Sequence, residues 1–287
     1  MFVVVGDGAV GIAVAVALSG SDGEVILAGP RGTPEKKRVF STEGHLRLSA
    51  EILHTAIDRI SAGESVIVAL KAYSIRDAVP DIKEISNGKV ICLSNGMGLD
   101  EEWGDLAGRV EYSVLSMGFR KTDPITVLTT DGVVYCEPGS AAAGIFASSR
   151  MSVEEVGDIS ELRWAKWYAN SIINPIGALT GLENNRIVEA GLRPLIDKLS
   201  REIAVLMPSR RALAEGRRIL EWLLEHSSNR CSMLQDIEKG LPTEIDFLTG
   251  LRETGSRIEC PVTSQLVSEI KRYAGRSLRK DELLLFL

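Results

Sequence analysis

Four short apolar runs in the first hundred residues, at 2–5, 25–28, 66–69 and 90–93, constrain the fold of this chain most strongly. None of them alternates apolar with polar residues. A continuous apolar strand is buried on both faces, the condition of a parallel strand between two helical layers. The Ala-rich stretch at 12–18 and the amphipathic stretch at 53–60 fall between these runs and read as helices. Strand and helix therefore alternate, so the first half is expected to form a doubly wound parallel sheet of Rossmann type. A second group of runs at 112–115, 126–129 and 133–136, bounded by the turn signals Asp123-Pro124 and Asp131-Gly132, adds antiparallel strands. After about Met151 the texture changes to long helical segments. The expected architecture is α/β, with a Rossmann-type, cofactor-binding domain over 1–155 and an all-helical, substrate-binding domain over 156–287.

The first run leads at once into Gly6-Asp7-Gly8-Ala9-Val10-Gly11, which opens the first helix. Glycine is wanted there for three reasons: a tight turn, close backbone approach to a pyrophosphate, and close packing of helix on strand. The helix N-terminus then faces the anion with unpaired N–H groups and the positive end of its dipole. Asp7 runs against this pattern, because a carboxylate beside phosphates repels them unless it points away. In its strand, turn and helix setting the segment from Gly6 through Asp7, Gly8, Ala9 and Val10 to Gly11 marks a dinucleotide site.

Cofactor choice is read at the end of the second strand, where an acid would hold the ribose diol of NAD and an Arg would suit a 2'-phosphate. The chain has Leu27-Ala28-Gly29-Pro30-Arg31 there, followed by Lys36, Lys37 and Arg38 in what reads as a basic loop. No acid ends the strand. NADP(H) is thus the expected cofactor and Arg31 the expected phosphate ligand. Lys71 and Asn95, the latter within Asn95-Gly96-Met97-Gly98, follow two further strands at the edge where open α/β sheets bind ligands.

In the second half, Lys166, Asn170 and Asn174 recur at steps of four within an apolar stretch containing Trp164, Trp167, Ile172 and Ile173. Each step advances about 40° around a helix, so the three side chains share one face. Such a stripe is either a solvated face or a pocket with one proton donor and two amides. Further on, Asn229-Arg230-Cys231-Ser232-Met233-Leu234-Gln235-Asp236 leads through Gly240 and Pro242 to Thr243-Glu244-Ile245-Asp246. Thr243 reads as the cap of a helix, with Glu244 as an exposed carboxylate favoured by the dipole of its first turn.

Composition excludes several classes. Across 287 residues the chain is 45% hydrophobic and 25% charged with a net charge of -6, an ordinary globular balance without the basic stripe that nucleic acid would require. No run approaches the length of a membrane span, and the N-terminus shows no charged leader followed by a hydrophobic region. Cys92, Cys136, Cys231 and Cys260 are widely spaced, so reduced thiols in the cytoplasm are expected, with neither a metal site nor a disulfide framework. Periodicity leaves open whether the apolar helices after residue 190 pack within the chain or across a homodimer.

Taken together, these motifs identify the chain as similar to the ketopantoate reductase (2-dehydropantoate 2-reductase) family of the 6-phosphogluconate dehydrogenase-like group. The resemblance rests on Gly6 to Gly11, Leu70-Lys71-Ala72, Asn95-Gly96-Met97-Gly98, Lys166-x-x-x-Asn170-x-x-x-Asn174-Pro175, Ser232-Met233-Leu234-Gln235-Asp236 and Pro242-Thr243-Glu244-Ile245-Asp246. It implies that NADPH reduces 2-dehydropantoate, a small 2-oxo acid, to pantoate for pantothenate and coenzyme A synthesis. Lys166 then matches the proton donor to the keto oxygen, and Glu244 the essential glutamate beside that lysine and the cofactor. Asn170 and Asn174 match amides on the distal hydroxyl, Ser232 with Asn229 the carboxylate-binding segment, and Asn184 a further substrate contact. Lys71 and Asn95 match cofactor contacts. Ser116-Met117-Gly118-Phe119-Arg120 departs from the family's usual Thr, His and small residues lining the cofactor. The alternatives are a reductase of another branched or hydroxylated 2-oxo acid, or an NADP-binding regulatory protein without turnover.

Overall fold

The computed structural model describes residues 1–21, 23–61, 65–249 and 260–272. The chain forms two compact units, one made of Met1–Ser94 and Leu99–Ile159, the other of Asn95–Gly98 and the chain from Ser160 onward.

The first unit runs β1 (Phe2–Val5), α1 (Ala9–Leu18), β2 (Val25–Gly29), β3 (Lys36–Gly44), β4 (Leu48–Ala56), β5 (Ser65–Val68), α2 (Ile75–Ile85), β6 (Val90–Cys92) and α3 (Leu99–Trp103). It continues with β7 (Val110–Tyr112), β8 (Val114–Leu115), β9 (Phe119–Thr122), β10 (Ile125–Leu128), β11 (Val134–Cys136), α4 (Ala141–Ala147) and β12 (Val153–Glu155). Nine strands form one sheet in the order β7-β6-β5-β1-β2-β4-β3-β10-β9, while β12, β11 and β8 form a second of three. From β7 through β4 every neighbouring pair is parallel, as the apolar runs at β1, β2, β5 and β6 require. The α/β architecture expected from the sequence is therefore the one observed.

Two local expectations are corrected. Residues 53–60 are not a helix: β4 extends to Ala56 and is followed by a short 3-10 turn at Ile57–Arg59. Strand pairing decides this, since β4 lies parallel to β2 with Leu53 opposite Ile26 and antiparallel to β3 with His54 opposite Lys36. By the same pairing Lys36, Lys37 and Arg38 are not a loop but the start of β3. The β3–β4 hairpin and the β9–β10 hairpin then carry the sheet around α1, which lies against β1, β2, β3, β4, β9 and β10. This explains the composition of α1: with protein on all sides, AVGIAVAVAL has no need of a polar face.

The second unit is helical: α5 (Ile159–Thr180), α6 (Arg193–Ala204), α7 (Arg210–His226), α8 (Ser232–Glu238), α9 (Ile245–Leu248) and α10 (Pro261–Arg272). Its core gathers on α5, where Trp167, Tyr168, Ile172, Ile173, Ile176 and Leu179 meet Leu195, Leu199, Leu220, Leu234, Leu248 and Leu266 from the surrounding helices. Glu202 of α6 pins α10 by accepting from the backbone N–H groups of Val262 and Thr263 and from Thr263 Oγ1 at 2.8–3.0 Å. Among the described residues no helix is long and apolar enough to cross a membrane. No disulfide joins the four cysteines, all of which are buried.

Candidate functional site

In the first unit the glycine turn is held by its own closeness. Gly6 has a φ of 109°, the left-handed region that favours glycine, and a Cβ there would lie 2.7 Å from the carbonyl oxygen of Ala69. A Cβ on Gly11 would lie 1.7 Å from the carbonyl oxygen of Gly6. Both positions are closed by protein backbone. Gly8 differs: it is the exposed N-cap of α1, its φ of -72° suits any residue, and no protein atom lies within 4 Å of where its Cβ would be. The turn is thus open at Gly8, the N-cap of α1, which makes no side-chain cap to the first N–H groups of the helix. A pyrophosphate fits that cradle, and the residues present suit a dinucleotide.

The contact of Gly6 with Ala69 and the side chain of Leu70 also sets the turn beside Lys71, which is half-buried and begins the turn at Ala72–Ser74. Ser94 Oγ donates to the carbonyl of Leu70 at 2.7 Å and ties the end of the β6 segment to the same place. The carboxylate of Asp7 is turned to His54 of β4, with Oδ2 3.2 Å from Nε2, so the discordant charge has a partner. Lys121 of β9 donates to the carbonyl oxygen of Asp7 at 2.7 Å. Burial outweighs Asp7 in holding the His54 imidazole below its ordinary range.

The end of β2 is crowded by side chains. A Cβ on Gly29 would lie 2.5 Å from Thr33 Oγ1, 3.0 Å from His54 Nε2 and 3.1 Å from Asp7 Oδ2. A side chain there would have to displace one of these polar tips. Arg31, two residues on, is exposed and binds Asp81 of α2 through Nε and Nη2 at 3.2 and 2.7 Å. His54, Lys121 and Asp81 join these residues from outside the sequence motifs. His54 and Lys121 are recruited by strand pairings that no local pattern reveals, whereas Asp81 leaves a signal, an acid four residues before buried Ile85 on one helix face.

In the second unit, Lys166, Asn170 and Asn174 do share one face of α5, Asn174 being 5% exposed and the other two half-buried. The stripe is not a solvated face. Burial pushes the Lys166 ammonium down from 10.5 to about 8, against the opposing pull of Glu244. Glu244 corrects a further expectation: it is 4% exposed rather than a surface carboxylate, and it is itself the N-cap of α9 in place of Thr243.

One backbone atom gathers this part of the site. The carbonyl oxygen of Phe247 in α9 accepts from Trp167 Nε1 at 3.2 Å and from the N–H of Met97 at 3.1 Å. It therefore joins the helix capped by Glu244 to the residue after Lys166 and to the segment carrying half-buried Asn95. Gly96 permits the approach, since a Cβ there would lie 2.7 Å from Phe247 Cβ.

Two other links complete the set. Cys231 donates its thiol to the carbonyl of Asn174 at 3.5 Å and accepts from the N–H of Leu234 at 3.4 Å, so the start of α8, with half-buried Ser232, is tied to α5. Burial pushes that thiol up to about 12, which leaves it neutral in this role. Asn184 donates its N–H to the carbonyl of Asn229 at 3.1 Å and its Nδ2 to Ser227 Oγ at 3.2 Å. Its Oδ1 is buried with no hydrogen-bond partner among the described residues. No cluster of His, Cys, Asp and Glu suited to a metal occurs among them either.

Comparison with known proteins shows the family. Residues 2–140 match the family model described as Ketopantoate reductase PanE/ApbA, and residues 158–274 match Ketopantoate reductase PanE/ApbA C terminal. A 2-dehydropantoate 2-reductase of Pyrococcus horikoshii is 29% identical over 277 residues, covering 86% of this chain and 87% of its own. Its counterpart in Archaeoglobus fulgidus is 27% identical over 289 residues, covering 93% and 96%. In fold, a dimeric ketopantoate reductase from Staphylococcus aureus superposes with a TM-score of 0.80 at 18% identity, covering 95% of this chain and 98% of its own. A D-mandelate dehydrogenase bound to NADH and anilino(oxo)acetate superposes at 0.78 and 16%, with coverage of 95% and 98%. With both family models matched in order across the two units, the chain belongs to the ketopantoate reductase family.

Proposed function

We propose that this chain reduces 2-dehydropantoate to pantoate with NADPH, the reaction for which its curated relatives are named. The observation that carries the reading is Lys166, acid-shifted by burial and in electrostatic reach of buried Glu244, on a helix face that also holds Asn170 and Asn174. When bound, the reduced nicotinamide supplies the hydride. Lys166 donates a proton to the keto oxygen as negative charge develops there. A pKa of about 8 keeps the amine mostly protonated near neutral pH while making it a stronger acid than an exposed lysine. Glu244 holds the ammonium charged despite its burial and stands beside the cofactor.

The remaining roles follow the chemistry of each side chain. Asn170 and Asn174 hold the distal hydroxyl of the substrate, and Ser232 with Asn229 takes its carboxylate. Asn184, held by Ser227 and Asn229, is assigned the further substrate contact that the family implies. Gly8, Ala9 and Val10 offer backbone to the pyrophosphate on a turn that Gly6 and Gly11 close, with Asp7 kept aside by His54. Arg31 takes the 2'-phosphate, and Lys71 and Asn95 add further cofactor contacts.

A second reading, reduction of another branched or hydroxylated 2-oxo acid, is favoured by the D-mandelate dehydrogenase, which holds anilino(oxo)acetate on the same fold. NADPH oxidation against a panel of 2-oxo acids separates them: 2-dehydropantoate should give the highest kcat/KM. Preference for another acid would move the assignment to it, and tight NADPH binding without turnover on any would favour a regulatory protein. Buried cysteines without a disulfide suit a reducing compartment, so we place the protein in the cytoplasm. Exposed Val205 and Trp222 are surfaces that a homodimer would cover, a state readable by sedimentation.

A further inference from the structure

Asp81 lies on the inner face of α2 with Ile82 and Ile85, and its side chain is 10% exposed. A carboxylate taken out of water on a helix face needs a partner that supplies hydrogen bonds as well as charge. Asp81 receives both from Arg31, whose Nε donates to Oδ2 at 3.2 Å and whose Nη2 donates to Oδ1 at 2.7 Å. The pair is unequal, because the Arg31 side chain remains 65% exposed. The acid is the fixed member and the guanidinium the presented one.

The geometry of the pair determines what Arg31 can still do. A guanidinium has five N–H donors in a plane. Asp81 engages the side edge, one hydrogen on Nε and one on Nη2, leaving the second Nη2 hydrogen and both on Nη1. Of these, one hydrogen on each Nη lies along the end edge, which matches two phosphate oxygens in a bidentate contact. Without Asp81 the long Arg side chain after Gly29-Pro30 would sample many rotamers, and ordering it would count against binding. Asp58 and Glu84 add to the negative field around the same guanidinium, so its charge is not in question.

We propose that Asp81 is the positioning residue that presents Arg31 to the 2'-phosphate of NADPH, so that preference over NADH depends on an α2 side chain that touches no cofactor. This rests on the reading of Arg31 as the phosphate ligand. The sequence has no acid at the end of β2 to favour NADH, so discrimination falls on how well Arg31 is aimed.

The test is the Kd of NADPH and of NADH, read by nucleotide fluorescence on the full chain, for wild type, Asp81→Asn, Arg31→Gln and the double variant. Arg31→Gln should cut the NADPH-over-NADH preference by about tenfold or more. Asp81→Asn should cut it by about three- to tenfold through weaker NADPH binding, leaving NADH within about twofold. In the double variant the loss should equal that of Arg31→Gln alone, because Asp81 acts only through Arg31. An unchanged preference in Arg31→Gln would overturn the phosphate reading and this proposal with it. If Arg31→Gln behaves as expected, three results would overturn the positioning role alone. These are an unchanged preference in Asp81→Asn, equal weakening of both nucleotides, or tighter NADPH binding.

Discussion

Helices α1 and α5 lie deep in their own units, yet α1 is apolar on every side while α5 carries Lys166, Asn170 and Asn174 in register. The difference follows from which part of the chain would meet a ligand. In the proposed function the donors at α1 are backbone N–H groups of the first turn, so every side chain is left to packing and a polar one would only add a desolvation cost. The proposed chemistry at α5 calls for an acid and amides, which only side chains supply. Burying them has a consequence that α1 never meets, the drop of the Lys166 pKa to about 8. One helix should therefore be intolerant of an added atom, and the other of a changed functional group.

The largest effect expected from this contrast is at Gly11. Its Cβ would fall 1.7 Å from a backbone oxygen, so Gly11→Ala should cost on the order of 3 kcal/mol and abolish tight NADPH binding. Thermal melting with a nucleotide titration checks both, and a near-normal melting temperature would show that the turn can open. On α5 the order of damage should reverse. Asn174→Ala is expected to lower kcat/KM for a hydroxylated 2-oxo acid by about 10- to 100-fold, with a smaller shift in melting than Gly11→Ala. Equal losses on a plain 2-oxo acid would remove its role at the distal hydroxyl.

The smallest effect sharpens the electrostatic side of the contrast. Lys166 must be protonated to donate, so kcat/KM should fall as pH rises through about 8. Glu244 raises that pKa, so Glu244→Gln should move the fall to lower pH. A pH profile whose alkaline limb stays in place, or moves up, would separate Glu244 from the lysine.

The two regions were also unequally legible in the sequence. The glycine turn could be read because its constraint is local: five consecutive steps of chain determine how backbone packs on backbone. The polar stripe on α5 was visible from spacing alone, but whether it faced solvent was not, since that depends on helices contributed by residues up to Leu266. Glu244 was misplaced at the surface for the same reason. Its helix is joined to α5 and to the Met97 segment through Phe247, by contacts far apart in sequence and made by a backbone oxygen that leaves no residue signature. The reading of residues 53–60 as a helix failed because β2 and β3 pair with β4, a tertiary decision that local periodicity does not contain.

The central claim is that Lys166 is the proton donor, and substitution at that position tests it most directly. Lys166→Ala should lower kcat for 2-dehydropantoate by about 10²- to 10⁴-fold while the Kd of NADPH, which the proposal assigns to the glycine turn and Arg31, changes by no more than a few-fold. Turnover within a few-fold of wild type would contradict the account.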